Sequence, residues 1–145
     1  MNLRRHTLLG AALALGAASL APAAHARPDA VRGEQLYARC AACHALTYDR
    51  VGPRHCGLLG RRAGSVAGFA YTPAMKKSGL VWDEETLKRF LAKPLAVVPG
   101  SSMTYDGIPA ARDRDDLVAY LKAVNGGAAC QTSTTPGSRG LRKPA

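Results

Sequence analysis

The sequence predicts an all-α fold, on three observations. Apolar residues recur at helical spacing in separate segments, as in Leu87, Phe90 and Leu91 or in Leu117, Tyr120, Leu121 and Val124. Residues that cap helix N-termini stand where such segments begin: Asp29, Thr72 and Asp83. Runs with the two-residue alternation of a strand are almost absent.

Residues 1–26 form the first unit. Arg4 and Arg5 precede an apolar run from Leu8 to Leu20, and Ala24-His25-Ala26 follows as a small-x-small triplet. Positive, then apolar, then small is the pattern of a cleaved secretory signal peptide. The apolar stretch is short for a membrane span, so a retained signal-anchor is the lesser alternative. The residues behind the arginine pair are out of register for a twin-arginine signal, and general secretory export is expected. Cleavage after Ala26 leaves 119 residues, enough for one domain with one core. Lys+Arg falls from 20 to 18 against 10 Asp+Glu, a balance of +8. The basic residues are scattered, and Arg139, Arg142 and Lys143 sit near the C-terminal end. Together with export, this argues against nucleic acid and suits docking to acidic proteins. No later segment is apolar enough for stable membrane insertion.

The predicted domain covers residues 27–125. Asp29 caps a first helix carrying Val31, Leu36 and Tyr37. Gly33 shares a face with Tyr37, and a glycine inside a helix points to the close approach of another backbone. Thr47 to Gly68 is rich in Gly and Arg and reads as loop. Thr72-Pro73 opens a short helix that Gly79 ends. Asp83 caps the next, with Glu84 and Glu85 in the first turn where the helix dipole favours negative charge, and Pro94 ends it. Pro99-Gly100 turns the following loop. A last helix starts near Ala111 and stops at Asn125-Gly126-Gly127. Residues 126–145, rich in Gly, Ser, Thr, Pro and basic side chains, are expected to form a mostly disordered tail.

Chemistry concentrates at Cys40-Ala41-Ala42-Cys43-His44. Two thiols three positions apart, followed at once by an imidazole, form the attachment site of a c-type haem. Each thiol adds across one haem vinyl group, and the adjacent histidine is thereby held under the iron as its proximal ligand. A zinc site would want a second ligand pair at similar spacing, and none exists. A redox dithiol of the thioredoxin kind would want alternating strands and helices around it. The remaining cysteines, Cys56 and Cys130, would meet an oxidising compartment, where pairing is expected and two unpaired thiols are the alternative. A second axial ligand could come from Met103, in the loop after Pro99-Gly100-Ser101-Ser102, from His55, or from Met75, which better suits core filling. A second histidine would lower the potential, whereas a thioether raises it.

The chain resembles the class I cytochromes c, close to the mitochondrial cytochrome c and bacterial cytochrome c2 group, from about Gly33 to Val124. The resemblance rests on the haem motif, Val51-Gly52-Pro53, Gly57-Leu58-Leu59-Gly60-Arg61, Gly68-Phe69-Ala70-Tyr71-Thr72, Gly79-Leu80-Val81-Trp82, Glu85-Thr86-Leu87, Pro99-Gly100-Ser101-Ser102-Met103 and Asp116-Leu117-Val118-Ala119-Tyr120-Leu121, in one order. It implies helices wrapped around one covalent haem, with Cys40 and Cys43 as anchors and His44 and Met103 on the iron. It implies that the Pro53 carbonyl accepts a hydrogen bond from the free ring N–H of His44. It places Arg61, Tyr71, Thr72 and Trp82 around the haem propionates, and Gly33 and Tyr37 against Tyr120. Departures from the family pattern are Phe90 where a tyrosine is usual, Met75 for an asparagine, Ser101 for a threonine, and His55 for an apolar residue beside the haem. Leu95 to Met103 carries no charge where mitochondrial relatives have lysines, so docking is expected to lean on Leu95, Val97 and Val98, with Arg39 and Arg50 keeping part of a basic ring.

The expected function is that of a soluble, monomeric periplasmic electron carrier rather than an enzyme. Its expected partners are a bc1-type complex, a terminal oxidase, a photosynthetic reaction centre or a periplasmic dehydrogenase. The alternatives are a haem enzyme or gas-binding protein with a displaceable distal ligand, and a dedicated electron-transfer subunit of one dehydrogenase.

Overall fold

A computed structural model describes residues 27–131. The expected signal peptide and residues 132–145 of the expected tail lie outside the described residues. Six helices occur among the described residues: α1 (Ala30–Tyr37), α2 (Pro73–Lys77), α3 (Glu84–Ala92), α4 (Pro94–Val97), α5 (Ala111–Gly126) and α6 (Ala128–Gln131). Within the same range the extended structure is one isolated antiparallel bridge, Arg62 with Val81.

The caps act as their chemistry dictates. The Asp29 carboxylate accepts from the N–H groups of Val31 and Arg32, and Asp83 accepts from Thr86. Thr72 accepts from Met75 N–H, with Pro73 in the first turn. Gly79 takes φ +69, the left-handed conformation open to glycine, just past α2. Lys93 ends α3 and leads into α4, a single turn where a loop is expected.

The crossing of α1 and α5 sets the frame. A Cβ on Gly33 would lie 2.0 Å from the carbonyl oxygen of Asp116 and 2.8 Å from Tyr120 Cβ, so only glycine permits this approach. The Tyr37 and Tyr120 rings meet at 5.3 Å. Asp116 is fully buried at the crossing, where it accepts from Asp29 N–H at 2.7 Å and pairs with Arg32 and Arg112. Burial works against its charge, but the Asp29 N–H and the two guanidinium groups prevail and hold it below the usual carboxylate range. The core beneath is Leu87, Phe90 and Leu91 from α3, Leu117, Val118 and Leu121 from α5, and Val98 and Ile108 from the intervening loop.

Three expectations meet a different arrangement. Val31 is 70% exposed, because the face of α1 that meets α5 carries Gly33, Leu36 and Tyr37. Val98, expected on the docking face, is 2% exposed and belongs to the core, while Leu95 remains exposed. α6 forms where the loose tail is expected to begin. There the sulfurs of Cys130 and Cys56 lie 2.02 Å apart, in bonding position. Asn125 adds a second tie: its Oδ1 accepts from Leu58 N–H and its Nδ2 donates to the Leu121 carbonyl.

Candidate haem site

A cavity of about 390 Å³ opens between these elements. Cys40, Cys43, His44, Pro53, Arg61, Tyr71, Thr72, Trp82 and Met103, all expected at the site, line it together. Hydrogen bonds continue from the end of α1 through the motif, from Cys40 N–H to the Tyr37 carbonyl and from both Cys43 N–H and His44 N–H to the Cys40 carbonyl. That helical winding places Cys40 and Cys43, three positions apart, on one side. Cys40 is partly buried and Cys43 exposed.

The His44 ring is held from several directions. Its Nδ1 lies 2.8 Å from the Pro53 carbonyl, which can only accept, so Nδ1 carries the proton and Nε2 keeps its lone pair for a metal. Burial pushes the imidazole below its ordinary pKa, with the Pro53 bond opposing, and the neutral ring is the ligating form. A Cβ on Gly52 would lie 2.3 Å from His44 Cε1. The His55 ring stacks on His44 with centroids 4.3 Å apart and planes 23° from parallel. His55 therefore stands beside the motif histidine and does not face it across the cavity, which removes it from the place of a distal acid–base group. Burial first, then His44 and Arg61, push His55 down to about 3. Its Nδ1 lies 3.1 Å from the Tyr37 hydroxyl. Burial pushes Tyr37 up to about 12.

Met103 arrives on the loop between α4 and α5, where its N–H donates to Ser101 Oγ and Ser101 N–H donates to the Val98 carbonyl. Gly100 turns that loop at φ +85. Trp82 is buried and tilts against Phe90 at 4.9 Å. Tyr71 meets Phe69 edge-on, and the Thr72 hydroxyl is engaged in capping α2. Arg61 donates from Nη1 to the Cys56 carbonyl and from Nη2 to the Arg54 carbonyl. Among the described residues its Nε is a buried donor with no hydrogen-bond partner.

This donor set fits a haem. Two thiols, an imidazole with a free Nε2 and a thioether meet one cavity whose wall is apolar through Leu58, Met75, Leu87, Phe90 and Leu117. The orphaned Arg61 Nε supplies a donor for an anionic carboxylate, where a buried unpaired donor would otherwise be costly. Three residues that hold the frame around the site do not announce that role locally. Gly52, within the Val51-Gly52-Pro53 block, reads as a turn glycine, Asn125 as a helix stop, and Asp116, beside Asp113 and Asp115, as a surface charge.

Residues 30–125 match the family model described as Cytochrome c. The chain belongs to the cytochrome c family. Cytochrome c2 of Rhodomicrobium vannielii is 42% identical over 122 residues, covering 82% of this chain and 94% of that protein. Cytochrome c of Gibberella zeae is 43% identical, covering 65% of this chain and 92% of that protein. Among solved structures, cytochrome cH from Methylobacterium extorquens is 45% identical with a TM-score of 0.63, covering 65% of this chain and 97% of that chain. This cytochrome has the all-α class I fold and holds one covalently attached haem c with its iron.

Proposed function

We propose that this cytochrome is a periplasmic one-electron carrier, with Cys40 and Cys43 as thioether anchors and His44 and Met103 as axial ligands. The observation that carries this reading is that an oriented imidazole with a free Nε2 and a methionine thioether line one cavity. When bound, the haem supplies the one-electron couple between Fe(III) and Fe(II). His44 gives nitrogen, with its basicity raised by the Pro53 carbonyl. Met103 gives sulfur, which favours the reduced metal. Leu58, Met75, Phe90 and Leu117 keep water from the site, and Arg61 Nε donates toward a haem carboxylate. With His44 and Met103 both holding the iron, the bound haem would keep no place for a reactant.

Relatives named cytochrome c2 and cytochrome cH support redox proteins as partners, of the bc1, oxidase, reaction-centre or dehydrogenase kind. The export signal expected in residues 1–26 supports the compartment, and among the described residues no helix is long and apolar enough to cross a membrane. An oxidising compartment also supports a bond between Cys56 and Cys130.

A redox titration of the matured protein, with spectra in both oxidation states, tests the reading. Ferric protein should show the sulfur-to-iron charge-transfer absorption. Met103→Ala should abolish that band, lower the potential and admit exogenous ligands. A wild-type protein without the band, or a Met103→Ala variant with unchanged potential, would overturn it.

A further inference from the structure

We propose that His55 and Tyr37 form a positioning pair behind His44, setting the plane of its imidazole and with it the reduction potential of the haem. The inference rests on the reading of His44 as an axial ligand.

The Pro53 hydrogen bond restrains the His44 ring but leaves it room to rock about its Cβ–Cγ bond, because a hydrogen bond tolerates some misalignment. Gly52 lies over the ring at Cε1, where an added Cβ would be 2.3 Å from Cε1 and 2.6 Å from Nδ1 and Nε2 alike, so the glycine leaves that approach open. The stacked His55 ring covers a face, and a near-parallel contact at 4.3 Å resists the turn that the hydrogen bond allows. His55 is itself restrained, because its Nδ1 meets the Tyr37 hydroxyl at 3.1 Å. Tyr37 in turn is wedged at the α1–α5 crossing against Tyr120. The plane of the ligand is thus referenced, through two side chains, to the crossing of α1 and α5, where Gly33 lets the backbones meet.

An aliphatic residue at position 55 would fill similar space, but it offers no flat face to an imidazole and no partner to the buried Tyr37 hydroxyl. The plane of an axial imidazole decides which iron d orbital mixes with its π system, and so how unpaired spin spreads over the porphyrin. A π face held against the ligand also adds electron density beside it, which favours the oxidised metal. His55 therefore acts to lower the potential relative to an aliphatic neighbour, opposing part of the rise that a thioether brings.

The test uses matured holoprotein carrying His55→Leu, Tyr37→Phe or both, each checked for folding by circular dichroism. Two quantities are read: the reduction potential, and the hyperfine-shifted haem methyl resonances of the ferric form. His55→Leu should raise the potential and redistribute the methyl shifts. Tyr37→Phe should move both in the same sense by less, and should add nothing in the His55→Leu background. Tyr37→Phe removes one oxygen and keeps the ring between the helices, so it reads the pair even if His55→Leu fails to mature. Unchanged potential and methyl pattern in either folded variant would overturn the proposal, as would fully additive effects in the double variant. Failure of the His44 reading is distinguishable, because without His44 on the iron the unmodified ferric protein would lack the hyperfine-shifted imidazole ring resonances of a ligating histidine.

Discussion

Gly52→Ala adds one methyl group at the most confined side of the His44 ring. The new carbon would lie 2.3 Å from Cε1 and 2.6 Å from both Nδ1 and Nε2. Ordinary carbon–carbon contact is about 3.5–4.0 Å, so the ring must retreat by roughly 1 Å or more. Retreat is obstructed by the stacked His55 ring, and it stretches the 2.8 Å bond to the Pro53 carbonyl. Overpacking costs about 1–3 kcal/mol, and loss of the Pro53 bond adds about 0.5–1.5 kcal/mol. Together they predict a destabilisation of about 1.5–4.5 kcal/mol, with the largest changes at the His44 nitrogen. Denaturant unfolding of the holoprotein followed by absorbance and by far-ultraviolet circular dichroism measures the first. A redox titration measures the second, and the potential should rise, because an imidazole that has lost the Pro53 acceptor is a weaker donor to the oxidised metal. Wild-type stability together with a wild-type potential in Gly52→Ala would refute the argument that this glycine exists to make room for the ligand.

Further outcomes are expected elsewhere. Asp116→Ala leaves Asp29 N–H without its acceptor and takes one partner from each of Arg32 and Arg112, which are half exposed, can rehydrate and keep Asp113 and the Arg27 carbonyl, so the loss should be about 2–3 kcal/mol in thermal or denaturant unfolding. The depressed pKa of Asp116 means that its contribution is fully present above 3.8 and is lost as pH falls through the lower folded value. Asp116→Asn should flatten that part of the acid-unfolding curve, and an unaltered curve would count against the ion cluster. Non-reducing peptide mapping should join Cys56 to Cys130, and Cys130→Ser should cost about 2–4 kcal/mol, whereas free thiols at both positions would end that assignment. Association with a redox partner should weaken only slightly as salt rises, because Leu95 to Met103 brings no charge to the docking face; a steep decline in stopped-flow rate would contradict this.

Much of the site was legible because its chemistry depends on residue type at short range. Cys40, Cys43 and His44 announce themselves by spacing, and Asp29, Thr72 and Asp83 announce helix starts because their side chains satisfy N–H groups one turn away. What escaped depends on contacts distant in sequence. Asp116 is 87 positions from the N–H it receives, and beside Asp113 and Asp115 on the same helix it carries no mark of burial. Val98 looks like surface because its neighbours do, yet the loop folds it into the core. Val31 fits the apolar pattern of α1 but lies away from the face that Gly33 presents to α5. The departure at His55 is visible in the sequence as an oddity, but its stacking on His44 requires the Pro53–Cys56 segment to be folded back over the motif.

The segment that bears Met103 starts and finishes at nearly the same place. Ile108 N–H donates to the Leu91 carbonyl at 2.8 Å, and Gly107, at φ +103, passes so near Ala92 that a Cβ would lie 2.1 Å from its carbonyl oxygen. The excursion between Ala92 and Gly107 is therefore a lasso whose knot is tied at the neck by main-chain atoms. Within it Pro94 and Val98 are buried and hold α4 to the core, so the outer stretch from Pro99 to Asp106 is the part that could open while α3 and α5 stay assembled; with Met103 on the iron, as proposed, the sulfur would be released and recovered for far less than complete unfolding. Amide exchange across residues 99–105 should accordingly be faster than in the helices that hold the knot, and oxidation should make the release easier, since ferric iron binds a thioether less well.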